Sequence, residues 1–254
     1  MKEFKFRTLL ICVLTLAVGV AYLATAEPPD LGIEGLDKID ENRPDAPWVT
    51  KWYALDGPIT NTGGNAVGSD VDWLDKGTGG KLTDETVSTM AGLQLTQTTK
   101  VDLPDNGGEF GWGIFTIDPA DSHNMNNAYG LNNMDNIDTY AIIVISMASS
   151  ANVVMSPAHD DHAQIWINGT KIYGNATWTG GATDVDYDVP VKLDKGANVL
   201  LFRCSEGGGD AYFNLHFDQN LKILPQEDNV DQFLNRVPVE PCGKLTITWG
   251  DLKQ

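Results

Sequence analysis

The tetrad His159-Asp160-Asp161-His162 gathers four side chains able to bind a cation or exchange a proton within one turn. Ca2+ takes about six to eight oxygen ligands, and two carboxylates on a single turn supply several of them without closing a long loop. With the histidines added, the same residues suit Zn2+ or another borderline cation. Neighbours in sequence rarely close a tetrahedral shell, and no cysteine is near. The plainer alternative is that the aspartates only shape the turn, accepting from nearby backbone N–H groups, with His159 and His162 as exposed loop residues. Trp178 lies in Asn175–Gly181, NATWTGG, a loop composition. An indole exposed there would be a platform for the apolar face of a sugar ring; the alternative is an anchor packed on the body of the fold. Trp73 has a weaker claim to the same role. Trp48, Trp52, Trp112 and Trp166 fall in runs expected to be strands and are read as core or sheet-face residues.

Catalytic signatures are absent from the sequence. It has no H-E-x-x-H and no G-x-S-x-G. Between Trp48 and Leu224 the only glutamates are Glu85, Glu109 and Glu206. Glu206 and Asp210 flank Gly207–Gly209, and Glu109 and Asp118 stand at the ends of one run. Neither spacing faces two carboxylates across one bond, as a glycosidase requires.

Around the tetrad, Ala163, Ile165 and Ile167 alternate with Gln164, Trp166 and Asn168, the period of two expected of a strand. Asn168-Gly169 tolerates positive φ and predicts a two-residue hairpin turn. Further short runs are expected as strands: Trp48–Ala54, Leu93–Val101, Glu109–Ile117, Tyr140–Met147, Val185–Leu193, Asn198–Cys204 and Ala211–Phe217. Tyr140–Met147, YAIIVISM, is almost wholly apolar, which fits a central strand buried on both faces. Asp118–Asp135 reads as a long irregular loop, Asp84–Met90 as a short helix or loop, and Asp231–Arg236 as a short helix. Short runs separated by Gly, Asn and Asp turns predict an all-β fold, a two-sheet antiparallel sandwich of jelly-roll type.

Residues 1–26 read as a signal peptide: a basic start, an uncharged run from Thr8 to Leu23, and Ala24-Thr25-Ala26 as a cleavage signature. The run is short for a span of ~20 residues, so no stable membrane span is expected after cleavage and the mature chain is expected to be secreted or periplasmic. Removing Lys2, Lys5, Arg7 and Glu3 with that segment takes the formal charge from −18 to −20. So acidic a chain repels phosphate backbones, which argues against nucleic acid and anionic membranes as partners. Residues 27–47, acidic and proline-rich, read as an extended or disordered linker. Residues 48–224 form the expected sandwich domain, and 225–254 a C-terminal extension in which Lys244–Trp249 alternates like a strand. In an exported chain Cys204 and Cys242 are a candidate disulfide; the alternative is two buried thiols.

The runs SPAHDDHAQIWINGTKIY (Ser156–Tyr173) and VPVKLDKGANVLLFRCSEGGGDAYFNLHF (Val189–Phe217), with WYALDGP at Trp52–Pro58, resemble the carbohydrate-associated β-sandwich modules of secreted bacterial proteins. They resemble also the wider group of protective-antigen-type, galactose-binding-like sandwiches. The family pattern is an acidic S-D-D-G turn, an alternating strand, an N-G or D-G turn, a strand opening L-x-K-G-x-N-x-L, and a Gly-rich turn before an aromatic strand. This chain departs where His162 replaces the glycine after the paired acids, and in the residues inserted between Ser156 and Asp160. In lectin members of the group, adjacent aspartates joined by a cis peptide hold Ca2+, and the Ca2+ holds sugar hydroxyls. The resemblance carries that role to Asp160 and Asp161 alone.

The expected function is non-catalytic recognition of an extracellular polysaccharide or glycan, assisted by Ca2+ on Asp160 and Asp161, with Trp178 stacking on a ring. A structural or adhesive module would instead bury all its aromatic side chains. A polysaccharide hydrolase or lyase would line one groove with two carboxylates within ~10 Å of each other.

Overall fold

The computed structural model describes residues 32–61, 63 and 70–237. In chain order these form β1 (Lys38–Asn42), β2 (Lys51–Leu55), β3 (Ile59–Thr60), α1 (Trp73–Thr78), α2 (Asp84–Val87) and α3 (Met90–Leu95). Next come β4 (Val101–Leu103), β5 (Gly108–Phe110), β6 (Trp112–Thr116), α4 (Asn124–Tyr129), β7 (Ile137–Met147), β8 (Ala151–Asp160) and β9 (His162–Ile167). The chain continues with β10 (Thr170–Asn175), β11 (Asp184–Tyr187), β12 (Val189–Leu193), β13 (Gly196–Glu206), β14 (Tyr212–Phe217), β15 (Lys222–Leu224) and α5 (Val230–Arg236).

The apolar run YAIIVISM lies in β7, at the centre of the larger sheet, whose order is β10-β9-β13-β7-β2-β6. One edge of β7 pairs with β13 throughout; the other is shared by β3, β2 and β15 in turn. Alternation splits its side chains. Ala141, Ile143 and Ile145 enter the core between the sheets, while Tyr140, Ile142 and Val144 enter a second core on the opposite face. The first core is closed by the three-stranded sheet β12-β8-β14, through Met155, Val191, Leu193, Phe213 and Leu215. The second is closed by short helices, through Trp73, Leu74, Val87, Leu93 and Phe233. The fold is therefore an antiparallel β-sandwich, as expected, with a helical cover on the outer face of its larger sheet.

That cover corrects part of the sequence reading. Leu93–Val101, expected as one strand, is helix α3 followed by the short strand β4. Thr89 caps the helix by accepting from Gly92 N at 3.1 Å. Gly92 is needed because a Cβ there would lie 1.9 Å from the Thr86 carbonyl oxygen. Trp73 is not a surface platform: it is buried, and its indole donates to Asp138 Oδ2 at 3.1 Å. Asp118–Asp135 contains α4.

The proline-rich stretch expected as a linker joins the fold before Trp48. Its residues Lys38–Asn42 are strand β1, paired with β11. Arg43 donates to both Asp188 oxygens, at 2.9 and 3.0 Å, and to Ser156 Oγ at 3.0 Å, while Ile33 and Leu36 pack against the inner core. Past Leu224, α5 buries Phe233 and Leu234. Residues 1–26, Cys242 and Lys244–Trp249 lie outside the described residues. Among the described residues no helix is long and apolar enough to cross a membrane.

Candidate functional site

Asp160 and Asp161 sit where the chain crosses from one sheet to the other. Asp160 ends β8 and is opposite Tyr212 on β14, in the smaller sheet. His162 opens β9 and is opposite Ser205 on β13, in the larger one. The Asp160–Asp161 peptide is cis. Asp161 donates its N–H to Ser205 O at 3.2 Å and accepts the Gly207 N–H on Oδ2 at 3.0 Å. The hairpin beyond forms as expected, with Asn168 and Gly169 at φ of 51° and 83° between β9 and β10.

This register brings in a residue that local spacing gave no reason to choose. Glu206 ends β13, and its carboxylate converges on the aspartates: ligand oxygens of Asp160, Asp161 and Glu206 all lie within 4.8 Å of one another. Asp160 is 5% exposed and Glu206 1%. One Glu206 oxygen accepts from the Gly208 N–H, whereas Oε2 is buried with no hydrogen-bond partner among the described residues. Asp135, on the loop after α4, approaches Gly208 and raises the Glu206 carboxyl by its charge. Its Oδ1 would lie 3.2 Å from a Cβ on Gly208, so the glycine lets the loops meet. Sequence spacing pairs Glu206 only with Asp210 across the glycine turn, and neither it nor Asp135 is near the tetrad along the chain, so spacing does not join them to the aspartates.

Burial pushes the Asp160 carboxyl up to about 8, helped by the charges of Glu206 and Asp161. Burial also pushes Glu206 up to about 7, opposed by the Gly208 N–H and reinforced by Asp161. Three crowded carboxylates with an orphan buried oxygen make a strong demand for positive charge. The side chain of Trp178 reaches Asp160 and favours its ionised form. The indole is otherwise open, at 58% exposure, the largest among exposed bulky apolar side chains of the described residues. Its neighbour Thr179 anchors the loop, through a bond to His159 O at 3.1 Å and one of 2.7 Å between its hydroxyl and the Tyr212 hydroxyl.

No family model, known protein or solved structure matches this chain. The site must be read from its own chemistry. The histidines are not exposed loop residues. His159 is fully buried, with Nδ1 2.9 Å from Asp161 O and Nε2 2.9 Å from the Tyr173 hydroxyl. A carbonyl only accepts, so Nδ1 carries the proton and Nε2 accepts from Tyr173. Burial lowers this imidazole to about 3. His159 is thus a neutral brace holding the Asp161 backbone. His162 is buried on β9, outside the converging set. Cys204, a buried free thiol, lies beneath the site and donates to Asp160 O at 3.4 Å. The site therefore offers hard oxygen ligands, able to hold a metal ion, at a sheet crossing beside an open aromatic surface.

Proposed function

We propose that this chain is an exported, non-catalytic carbohydrate-binding module whose Ca2+ is held by Asp160, Asp161 and Glu206. The observation that carries the reading is the convergence of those three carboxylates beside the exposed Trp178. Ca2+ would neutralise charges that burial penalises and satisfy the orphan Glu206 oxygen. Three carboxylates leave part of its shell to water, and paired sugar hydroxyls replace water on such an ion at little cost. The indole then receives the apolar face of the ring. The resemblance to secreted sandwich modules supports the same assignment for Asp160 and Asp161, and the leader-like residues 1–26 support export.

A hydrolytic reading fits the geometry less well. Carboxylates that flank a glycosidic bond stand about 5 Å or more apart on either side of it. Here three oxygens crowd one point, leaving room for an ion rather than a bond. The test is calorimetric titration of the mature protein with glycans from an array, with and without chelator, and again with Asp161→Ala. Binding that is lost under both changes supports the proposal. Glycan binding that ignores both removes the metal-mediated form, and no binding across the array leaves a structural module.

A further inference from the structure

The indole of Trp178 is tied to the acidic site through its edge. A tryptophan side chain has one polar atom, its ring N–H, so the bond from Trp178 that favours the ionised Asp160 sets the indole nitrogen against that carboxylate. The loop carrying the ring is fixed on both sides of it. Thr177 N donates to Asn175 Oδ1 at 2.9 Å, and Asn175, itself buried, donates to the Tyr173 hydroxyl at 3.0 Å. After the ring, the Thr179 hydroxyl bonds His159 O and the Tyr212 hydroxyl. A ring held in this way loses little freedom when a ligand lies on it. Beside it, the buried Glu206 Oε2, with no hydrogen-bond partner among the described residues, marks the carboxylate cluster as a place that takes a ligand.

A hydrogen bond of about 2.9 Å and a Ca2+–oxygen distance of about 2.3–2.6 Å put an ion on Asp160 within about 5.5 Å of the indole nitrogen. One pyranose ring covers that separation: hydroxyls on one edge reach the ion while a C–H face lies on the indole. A second sugar unit finds neither contact free. Charge selects further. Three carboxylates and one Ca2+ leave a formal charge of −1, and the other charge acting on Glu206 is that of Asp135, also acidic. Asp184 stands against the turn after the indole, its Oδ2 3.4 Å from a Cβ on Gly180 and 3.0 Å from one on Gly181. The chain as a whole carries −18. A carboxylate or sulfate on the ligand therefore meets repulsion. Resting on the Ca2+ reading above, we infer that this site reads one neutral sugar unit at a time, through two hydroxyls on the ion and one apolar face on Trp178, and rejects uronic and sulfated sugars.

Calorimetry on the mature chain in saturating Ca2+ tests it, after a titration with Ca2+ alone. The probes are the methyl glycosides of glucose, galactose and mannose, those of the matching uronic acids, and the neutral tetrasaccharide of each sugar. At least one neutral glycoside is expected to bind, and to be lost with chelator. Its tetrasaccharide should bind within about threefold of it, and its uronic acid about tenfold more weakly or worse. Trp178→Phe, on an exposed loop, keeps a ring and loses the N–H held by Asp160; it should lower glycoside affinity about fivefold while Ca2+ still binds. A tetrasaccharide bound about tenfold tighter than its glycoside overturns the inference and leaves the Ca2+ reading standing. So does a uronic acid bound as tightly as the neutral sugar, or full glycoside affinity in Trp178→Phe. Ca2+ bound with no probe following it overturns the inference and leaves an ion site alone. Failure of Ca2+ itself to bind, or glycoside binding that survives chelator, overturns both.

Discussion

The Gly207 backbone N–H donates to Asp161 Oδ2 at 3.0 Å. This bond ties the end of β13 to the crossing between β8 and β9, and so sets Glu206, one residue earlier, beside the paired aspartates. The acidic site is thus a product of two strand ends meeting, one from each side of the connection between the sheets.

Calcium should stabilise the fold through this site. At a hundredfold excess over its Kd, mass action adds about 2.7 kcal/mol to the unfolding free energy, read as a rise in Tm. Asp161→Asn and Glu206→Gln should each weaken Ca2+ binding by tenfold or more in calorimetry, and Asp135→Asn by less. An unchanged Ca2+ affinity in Glu206→Gln would place the ion elsewhere.

The site should also respond to pH. Asp160, at about 8, and Glu206, at about 7, must lose their protons to ligate a cation. Ca2+ affinity is therefore expected to rise from pH 6 to pH 8.5, with proton release seen as a binding heat that varies with the buffer. Both carboxyls titrate higher folded than unfolded, so the cation-free fold binds the extra protons and loses stability as pH rises through their folded values. Between pH 7 and 8.5, above the titration of an unfolded histidine, the urea midpoint of the chelated protein should fall. Saturating Ca2+ should flatten that trend, the remainder coming from Asp84, which burial also pushes up to about 7.

Trp178→Ala separates recognition from folding. The indole is mostly in solvent, so unfolding free energy should stay within about 0.5 kcal/mol of wild type. Glycan affinity should drop about tenfold if the ring stacks there. Equal affinity in the variant would remove the indole from the binding surface.

Asp138 is the opposite kind of residue. Fully buried, it accepts from Arg203 Nε at 3.0 Å, Ser205 Oγ at 2.5 Å, Asn61 Nδ2 at 2.9 Å and Trp73 Nε1 at 3.1 Å. Arg203 also reaches Asp84 Oδ2 at 2.7 Å, which pins α2 to the larger sheet. Asp138→Ala leaves a buried guanidinium short of its partner and should cost about 3–5 kcal/mol in urea unfolding. A loss under 1 kcal/mol would show that the helical cover does not depend on this cluster.

Much of the strand layer could be read along the chain. YAIIVISM announced a strand buried on both faces, and Asn168-Gly169 announced its hairpin, because a period of two and a tolerance of positive φ are properties of neighbouring residues. The helical cover was harder to see. Its helices are four to seven residues long, too short for a helical period to show, and they persist through caps such as Thr83 and Thr89 and through burial on the sheet. The early strand β1 was hidden for a similar reason: its partner β11 lies about 140 residues away, and Arg43 finds Asp188 only once both are folded.

The candidate site divides along the same line. Its two adjacent aspartates and the indole in a glycine-rich loop stood out from residue type and local spacing alone, since adjacency along the backbone guarantees nearness in space. Folding supplied Glu206 and Asp135, sent His159 inward to Tyr173, and buried Trp73 against Asp138. Those outcomes depend on strand register and on which face of a sheet a helix covers, and both are settled by contacts between segments far apart in the chain.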